Sequence, residues 1–166
     1  IRPDEVEDVS HYFVSPAEFR QMITDDALLE HQEVTPDKYY GIIRARVDER
    51  LDIGEDLIAD IEVLGAKIIR DVYPQRSVLI FVNVPGETPE EKLTVLRERM
   101  EQREETVDHI AERLERARLL ELPFAKTCDY VIINENNQQE KAVADLMYII
   151  EQERSRRRMI LEPQEA

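Results

Sequence analysis

At 166 residues the chain is long enough for one domain with a real core. Its 37 acidic against 22 basic side chains leave a net charge of −15, which excludes a general nucleic-acid coat but still allows a few focused arginines to hold one anion. The lone cysteine, Cys128, excludes an internal disulfide or a CxxC metal site and argues for a reducing, cytoplasmic setting, and no apolar run nears the ~20 residues a bilayer-crossing helix needs, so no membrane partner is expected.

In chain order, Tyr12-Phe13-Val14 reads as the end of a strand. Ser15-Pro16-Ala17-Glu18 then opens a helix, with Ser15 as N-cap, Pro16 at the first helical position and Glu18 closing a capping box. Phe19, Met22 and Ile23 give that helix its apolar face. Leu28-Leu29-Glu30 and Tyr39 to Ile43 read as strands joined by a turn at Thr35-Pro36-Asp37. Arg44 to Leu51 reads as a short helix stopped before Gly54. Leu57 to Val63, a helix over Ala66 to Val72, and Val78 to Val84 then form strand, helix, strand, the pattern of a parallel sheet covered by helices. Pro85-Gly86 ends the second strand. A long charged helical region follows from Pro89 to about Leu122, broken near Glu104-Glu105-Thr106 and stopped by Pro123. Tyr130 to Ile133 is a third apolar strand. Ala142, Leu146, Ile149 and Ile150 mark a final amphipathic helix, whose closing Arg154, Arg156, Arg157 and Arg158 suit the negative end of the helix dipole.

Several polar positions stand out along this framework. Arg2-Pro3-Asp4-Glu5-Val6 precedes His11-Tyr12-Phe13-Val14-Ser15; Glu30 and Tyr39-Tyr40-Gly41 follow; then come Asp60-Ile61-Glu62 with Gly65, the arginines Arg99, Arg103 and Arg113, and Val131-Ile132-Ile133-Asn134. Each alone reads as an exposed charge, a core aromatic or a strand end. Their order and spacing from Arg2 to about Glu153 resemble the guanylate kinase family. That family carries an Arg-Pro-Arg-x-Gly-Glu-Val run, Tyr-x-Phe-Val-Ser, a strand glutamate, Tyr-Tyr-Gly-Ser, Asp-x-Asp-x-Gln-Gly, an arginine lid and a Val-x-Asn strand.

The resemblance implies an α/β fold: a three-layer parallel sheet of the nucleoside monophosphate kinase type, with a GMP-binding subdomain and a helical lid. It treats 1–166 as one domain, with a GMP region at about 2–55, a core at 56–96 and 119–158, and a lid at 97–118. The reaction implied is transfer of the γ-phosphoryl group of ATP to GMP, with Mg²⁺, in a monomer or homodimer that binds no nucleic acid. Arg2, with His11 and Tyr12, matches the contacts to the GMP phosphate, an anion that guanidinium groups hold in a two-pronged way. Tyr40 matches a hydroxyl that donates to the same phosphate. Glu30 matches the carboxylate that accepts from the guanine N1–H and amino group. Asp60 and Glu62 match carboxylates that orient the acceptor or, for Asp60 through water, serve Mg²⁺. Arg99, Arg103 and Arg113 match lid cations that neutralise charge on the moving phosphoryl group. Asn134 matches a residue beside the adenine of ATP.

The sequence also departs from that pattern. Gly41, Gly54, Gly65 and Gly86 are its only glycines, and none forms the Gly-x-x-x-x-Gly-Lys-Ser/Thr loop that the family places before Arg2. The first strand and P-loop are therefore expected to be missing, and these residues alone are expected to be inactive. His11 stands at the tyrosine position, Asp4 replaces a glycine, Ile42 a serine and Leu64 a glutamine. Gln102 and Glu104 replace the two lid glycines, and one residue is lost before Arg113. Those changes keep two rivals open: a catalytically inactive binding module on the same fold, and a kinase for another nucleoside monophosphate. His31 and His109 have no partner at metal-ligand spacing, and Cys128 reads as core.

Overall fold

The computed structural model describes residues 12–35 and 38–161, and the chain divides into two compact units, Ile1–Ser77 and Val78–Ala166. The boundary falls inside the stretch that the sequence assigns to the core.

In the first unit, α1 (Pro16–Thr24) begins with the expected capping box. Ser15 Oγ accepts the Glu18 N–H at 3.2 Å, and the Glu18 carboxylate accepts the Ser15 N–H at 2.8 Å. The Ser15 hydroxyl also donates to Glu18 Oε2 at 2.7 Å, and this bond first, then that from the Ser15 N–H, holds the Glu18 carboxyl below its usual range. Strands β1 (Leu28–Thr35) and β2 (Lys38–Ile43) form an antiparallel hairpin; Pro36 and Asp37 of the expected turn lie outside the described residues. Glu30 stands opposite Ile42 and Gln32 opposite Tyr40, so these four share one face; His31 with Gly41 and Glu33 with Tyr39 share the other. Helix α1 packs against this second face. The buried Phe19 ring stacks on Tyr39 at 5.1 Å, and a Cβ on Gly41 would lie 3.0 Å from Phe19 Cζ and 2.8 Å from the Glu30 carbonyl oxygen. Gly41 is thus demanded by close approach of two elements.

Two strand expectations fail here. Residues 12–14 form no strand among the described residues, and Tyr12 and Val14 are exposed. Residues 55–62 carry no ladder, and Leu57 and Ile58 are exposed. Val63 belongs instead to α3 (Val63–Val72), which starts three residues before Ala66. An apolar run marks a candidate strand, but only hydrogen bonds to a neighbour make one, and the described residues supply no such neighbour. Val63 and Gly65 are buried with the helix, so packing draws the run's end into the helical turn.

Helix α2 (Arg44–Asp52) follows β2 directly and ends before Gly54, which takes the left-handed φ of 81°. The Tyr73 hydroxyl, just past α3, donates to Asp48 Oδ1 of α2 at 2.6 Å. Burial first, then this bond, pushes the phenol from 10.0 up to about 12. Because the folded value is raised, its contribution to stability is complete below about pH 10 and is lost as pH climbs through about 12. Tyr73→Phe is expected to lower the melting temperature at neutral pH, where the bond to Asp48 is intact, and to flatten its alkaline fall.

In the second unit, β3 (Ile80–Asn83) and β4 (Tyr130–Ile133) pair in parallel, Ile80 with Tyr130 through Asn83 with Ile133. The ladder runs on where the Asn134 N–H donates to the Asn83 carbonyl at 2.8 Å. Between them lies α4 (Pro89–Gln102), opened by a Thr88–Glu91 capping box, and α5 (Val107–Arg116). The expected break is a turn in which Glu104 takes φ 58°. Met100, Ile110 and Leu114 are buried against Leu93 and Leu96 and fasten α4 to α5. Pro123 does not stop the helical path as expected. A π-helical turn (Ala117–Glu121) runs into α6 (Leu122–Phe124) and a 3₁₀ turn to Thr127, with Pro123 in the first turn of α6, where a missing N–H costs little. Helix α7 (Gln139–Leu161) buries Ile149, and the Tyr130 hydroxyl of β4 donates to Glu153 at 2.6 Å. No described helix is long and apolar enough to cross a membrane.

Candidate active site

The hairpin of the first unit sets Glu30 and Tyr40 on the same face, two of the residues singled out for the acceptor. The Glu30 carboxylate lies against the first turn of α3: a Cβ on Gly65 would fall 3.2 Å from its Oε2. Gly65 thus keeps the room that the carboxylate occupies. Burial pushes the Glu30 carboxyl up, opposed by the neighbouring His31. A carboxylate held partly out of water is primed for N–H donors, which replace the lost hydration. Glu62 is the N-cap residue of α3 and is half-buried, whereas Asp60 is exposed; both lie on the non-strand 55–62 segment rather than at a strand end. Tyr12 is exposed, with the Arg46 guanidinium of α2 over its ring at 5.4 Å. Arg2 and His11 lie outside the described residues.

The second unit brings Arg99 and Asn134 together. Arg99, near the end of α4, donates from Nη2 to the Asn134 carbonyl at 2.6 Å. It also donates from Nε and Nη2 to Asn136 Oδ1 at 3.0 and 2.8 Å. Asn134 Oδ1 is buried without a hydrogen bond among the described residues. This cluster sits at the carboxyl ends of β3 and β4, the end of a parallel sheet where ligands bind. Arg103 follows α4 and pairs with Glu105 at 2.7 Å; Glu105 also meets His109 Nδ1 at 2.8 Å. The Arg113 side chain is exposed on α5 and has no ion pair among the described residues.

Asn136 is a polar partner that sequence reasoning passed over, and Glu105 and His109 entered it only as part of a helix break and as a histidine without metal-ligand spacing. The i,i+4 spacing of Glu105 and His109 was readable, but nothing local joined it to Arg103 or tied Asn136 to an arginine 37 positions earlier.

A hairpin carrying a partly buried carboxylate, a parallel strand pair with polar ends and a two-helix arm bearing arginines are parts of a P-loop nucleoside monophosphate kinase. The sequence profile described as guanylate kinase matches residues 1–153. The guanylate kinase of Bacteroides fragilis is 35% identical over 144 residues, covering 86% of this chain and 67% of that protein. That of Thermus thermophilus is 36% identical over 156 residues, covering 93% of this chain and 66% of that one. The crystal structure of guanylate kinase from Anaplasma phagocytophilum superposes with a TM-score of 0.68 at 25% identity, over 92% of this chain and 70% of that one. The chain belongs to the guanylate kinase family, ATP-dependent kinases of nucleoside monophosphates, and spans about two thirds of the length of these relatives.

Proposed function

We propose that the protein transfers the γ-phosphoryl group of ATP to GMP, giving ADP and GDP. The observation that carries this reading is Glu30: a carboxylate with a raised pKa, fixed over Gly65 and sharing its face with Tyr40. Guanine offers two adjacent donors, N1–H and the 2-amino group, and an ionised carboxylate offers two acceptors. Adenine has no donor at N1, so Glu30 selects the acceptor base. The Tyr40 hydroxyl, with Arg2, His11 and Tyr12, is assigned to the GMP phosphate. Asp60 and Glu62 are assigned to orienting the acceptor.

Phosphoryl transfer asks little covalent chemistry of a protein and much charge stabilisation. Arg103 and Arg113 on the arm are assigned to the transferring group. Arg99, docked at the end of β4, is the third cation and is assigned to link the arm with the ATP side. Asn134 is assigned to adenine, consistent with a buried Oδ1 that has no hydrogen bond among the described residues. Mg²⁺ fits this arrangement. It retains several waters and binds chiefly through nucleotide phosphates, so an exposed carboxylate such as Asp60, acting through water, is a sufficient protein contact. When bound with ATP it supplies charge neutralisation on the phosphates. A cytoplasmic setting and a role in purine nucleotide metabolism complete the reading.

The test is ADP release by the full-length gene product with Mg²⁺-ATP and GMP, with AMP, CMP and UMP in parallel. Selective turnover of GMP is expected. Folded protein that binds GMP but turns over no acceptor would replace this reading with a binding module, and preference for another acceptor would reassign the base.

A further inference from the structure

We infer that Glu105 is a positioning residue for Arg103, and that His109 fixes Glu105 for that task; this rests on the reading of Arg103 as a cation for the transferring phosphoryl group. Arg103 caps the C-terminus of α4, and its side chain is 66% exposed. A free arginine there samples many rotamers, and freezing it on a phosphate costs entropy at the moment of reaction. Glu105 removes part of that cost. Its Oε1 takes Arg103 Nη2 at 2.7 Å, and the rest of the guanidinium fork remains for an anion.

Glu105 is itself well anchored. Its side chain is only 19% exposed, and its N–H donates to the Met100 carbonyl at 3.2 Å. Its second oxygen, Oε2, meets His109 Nδ1 at 2.8 Å. His109 in turn stands in the first turn of α5, where its N–H donates to the capping Thr106 Oγ at 3.4 Å. The chain of contacts therefore runs from the first turn of α5, through one carboxylate, to the arginine at the end of α4. The turn between the helices holds Arg103 in a chosen direction, although a glutamate occupies its left-handed position.

The test compares wild type, Glu105→Ala and Glu105→Gln in the full-length gene product. The alanine variant is expected to lower kcat ~2- to 5-fold with KM for GMP unchanged, the range an exposed, geometrically favourable ion pair allows. Glutamine keeps an oxygen at reach of Arg103 and is expected to restore most of the rate. Slow rotation of the Arg103 guanidinium, followed by NMR, is expected in wild type and in the glutamine variant and to be lost with alanine. Unchanged kcat in both variants, a rise in kcat on removing Glu105, or an unaltered Arg103 signal would each overturn the assignment. GMP affinity and melting temperature report folding of the variants. The NMR arm needs no turnover, so failure of the kinase reading, seen as an inactive wild type, stays separate from failure of this one.

Discussion

Glu30→Ala is expected to abolish most of the enzyme's preference for GMP. Each hydrogen bond to an ionised acceptor contributes about 1.5–3 kcal/mol, so losing both lowers kcat/KM for GMP by ~10²- to 10⁴-fold. The rates with AMP, CMP and UMP should hardly move, because none of them presents the paired donors. Glu30→Gln should be nearly as damaging, since an amide meets one of guanine's N–H groups with an N–H of its own. The raised pKa adds a signature in pH. Guanine needs the carboxylate, so GMP affinity should fall on acidification at a higher pH than an ordinary glutamate, at 4.5, would give. In the free protein the sign is opposite. The group's contribution to stability is present below its ordinary value and lost as pH rises through the raised one, because the fold must then carry a partly desolvated charge. Calorimetric titration of GMP across mildly acid to neutral pH, with wild type and Glu30→Gln, checks both parts. A wild-type affinity without pH dependence in that range would remove Glu30 from the base.

What was legible in the sequence is what short-range chemistry determines. Ser15-Pro16-Ala17-Glu18 named its capping box because all the partners lie within one turn. The hairpin and β3 and β4 were readable as β-branched and aromatic runs with turn residues between them. The Leu57 to Val63 run was misread as a strand because an apolar run carries no information about whether a partner strand lies beside it. Pro123 was misread because proline ends a helix from its interior but is tolerated in a first turn. At the candidate site, the family pattern pointed to Glu30, Tyr40, Asn134 and the arginines as residues to test. It said nothing of the contacts that hold them: Gly65 under Glu30, Asn136 on Arg99, Glu105 on Arg103. These are long-range or side-chain geometries with no periodic trace. Glu104 shows the two levels in conflict. The resemblance expects glycine there, the backbone takes a φ of 58° that glycine favours, and this chain nevertheless places a glutamate.

Arg103→Ala is expected to lower kcat by ~10²- to 10³-fold and to leave KM for GMP close to wild type. Removing one donor aimed at developing transition-state charge has that order of cost. The split follows from location: the GMP contacts are assigned to the hairpin and the segment before α3, whereas Arg103 caps α4. Arg103→Lys should recover only part of the loss, since an ammonium supplies charge but not the planar fork that pairs with phosphate oxygens. Arg113→Ala should lower kcat by a similar factor. Its guanidinium has no ion pair among the described residues, so its removal leaves no buried charge behind and the loss reports chemistry rather than folding. The two losses should not add in the double variant, because groups that stabilise one transition state act as a unit. Steady-state kinetics with ATP and GMP varied in turn separate the terms. If either alanine variant raised KM for GMP with kcat intact, that arginine would be a binding residue and the arm would lose its assigned part in transfer.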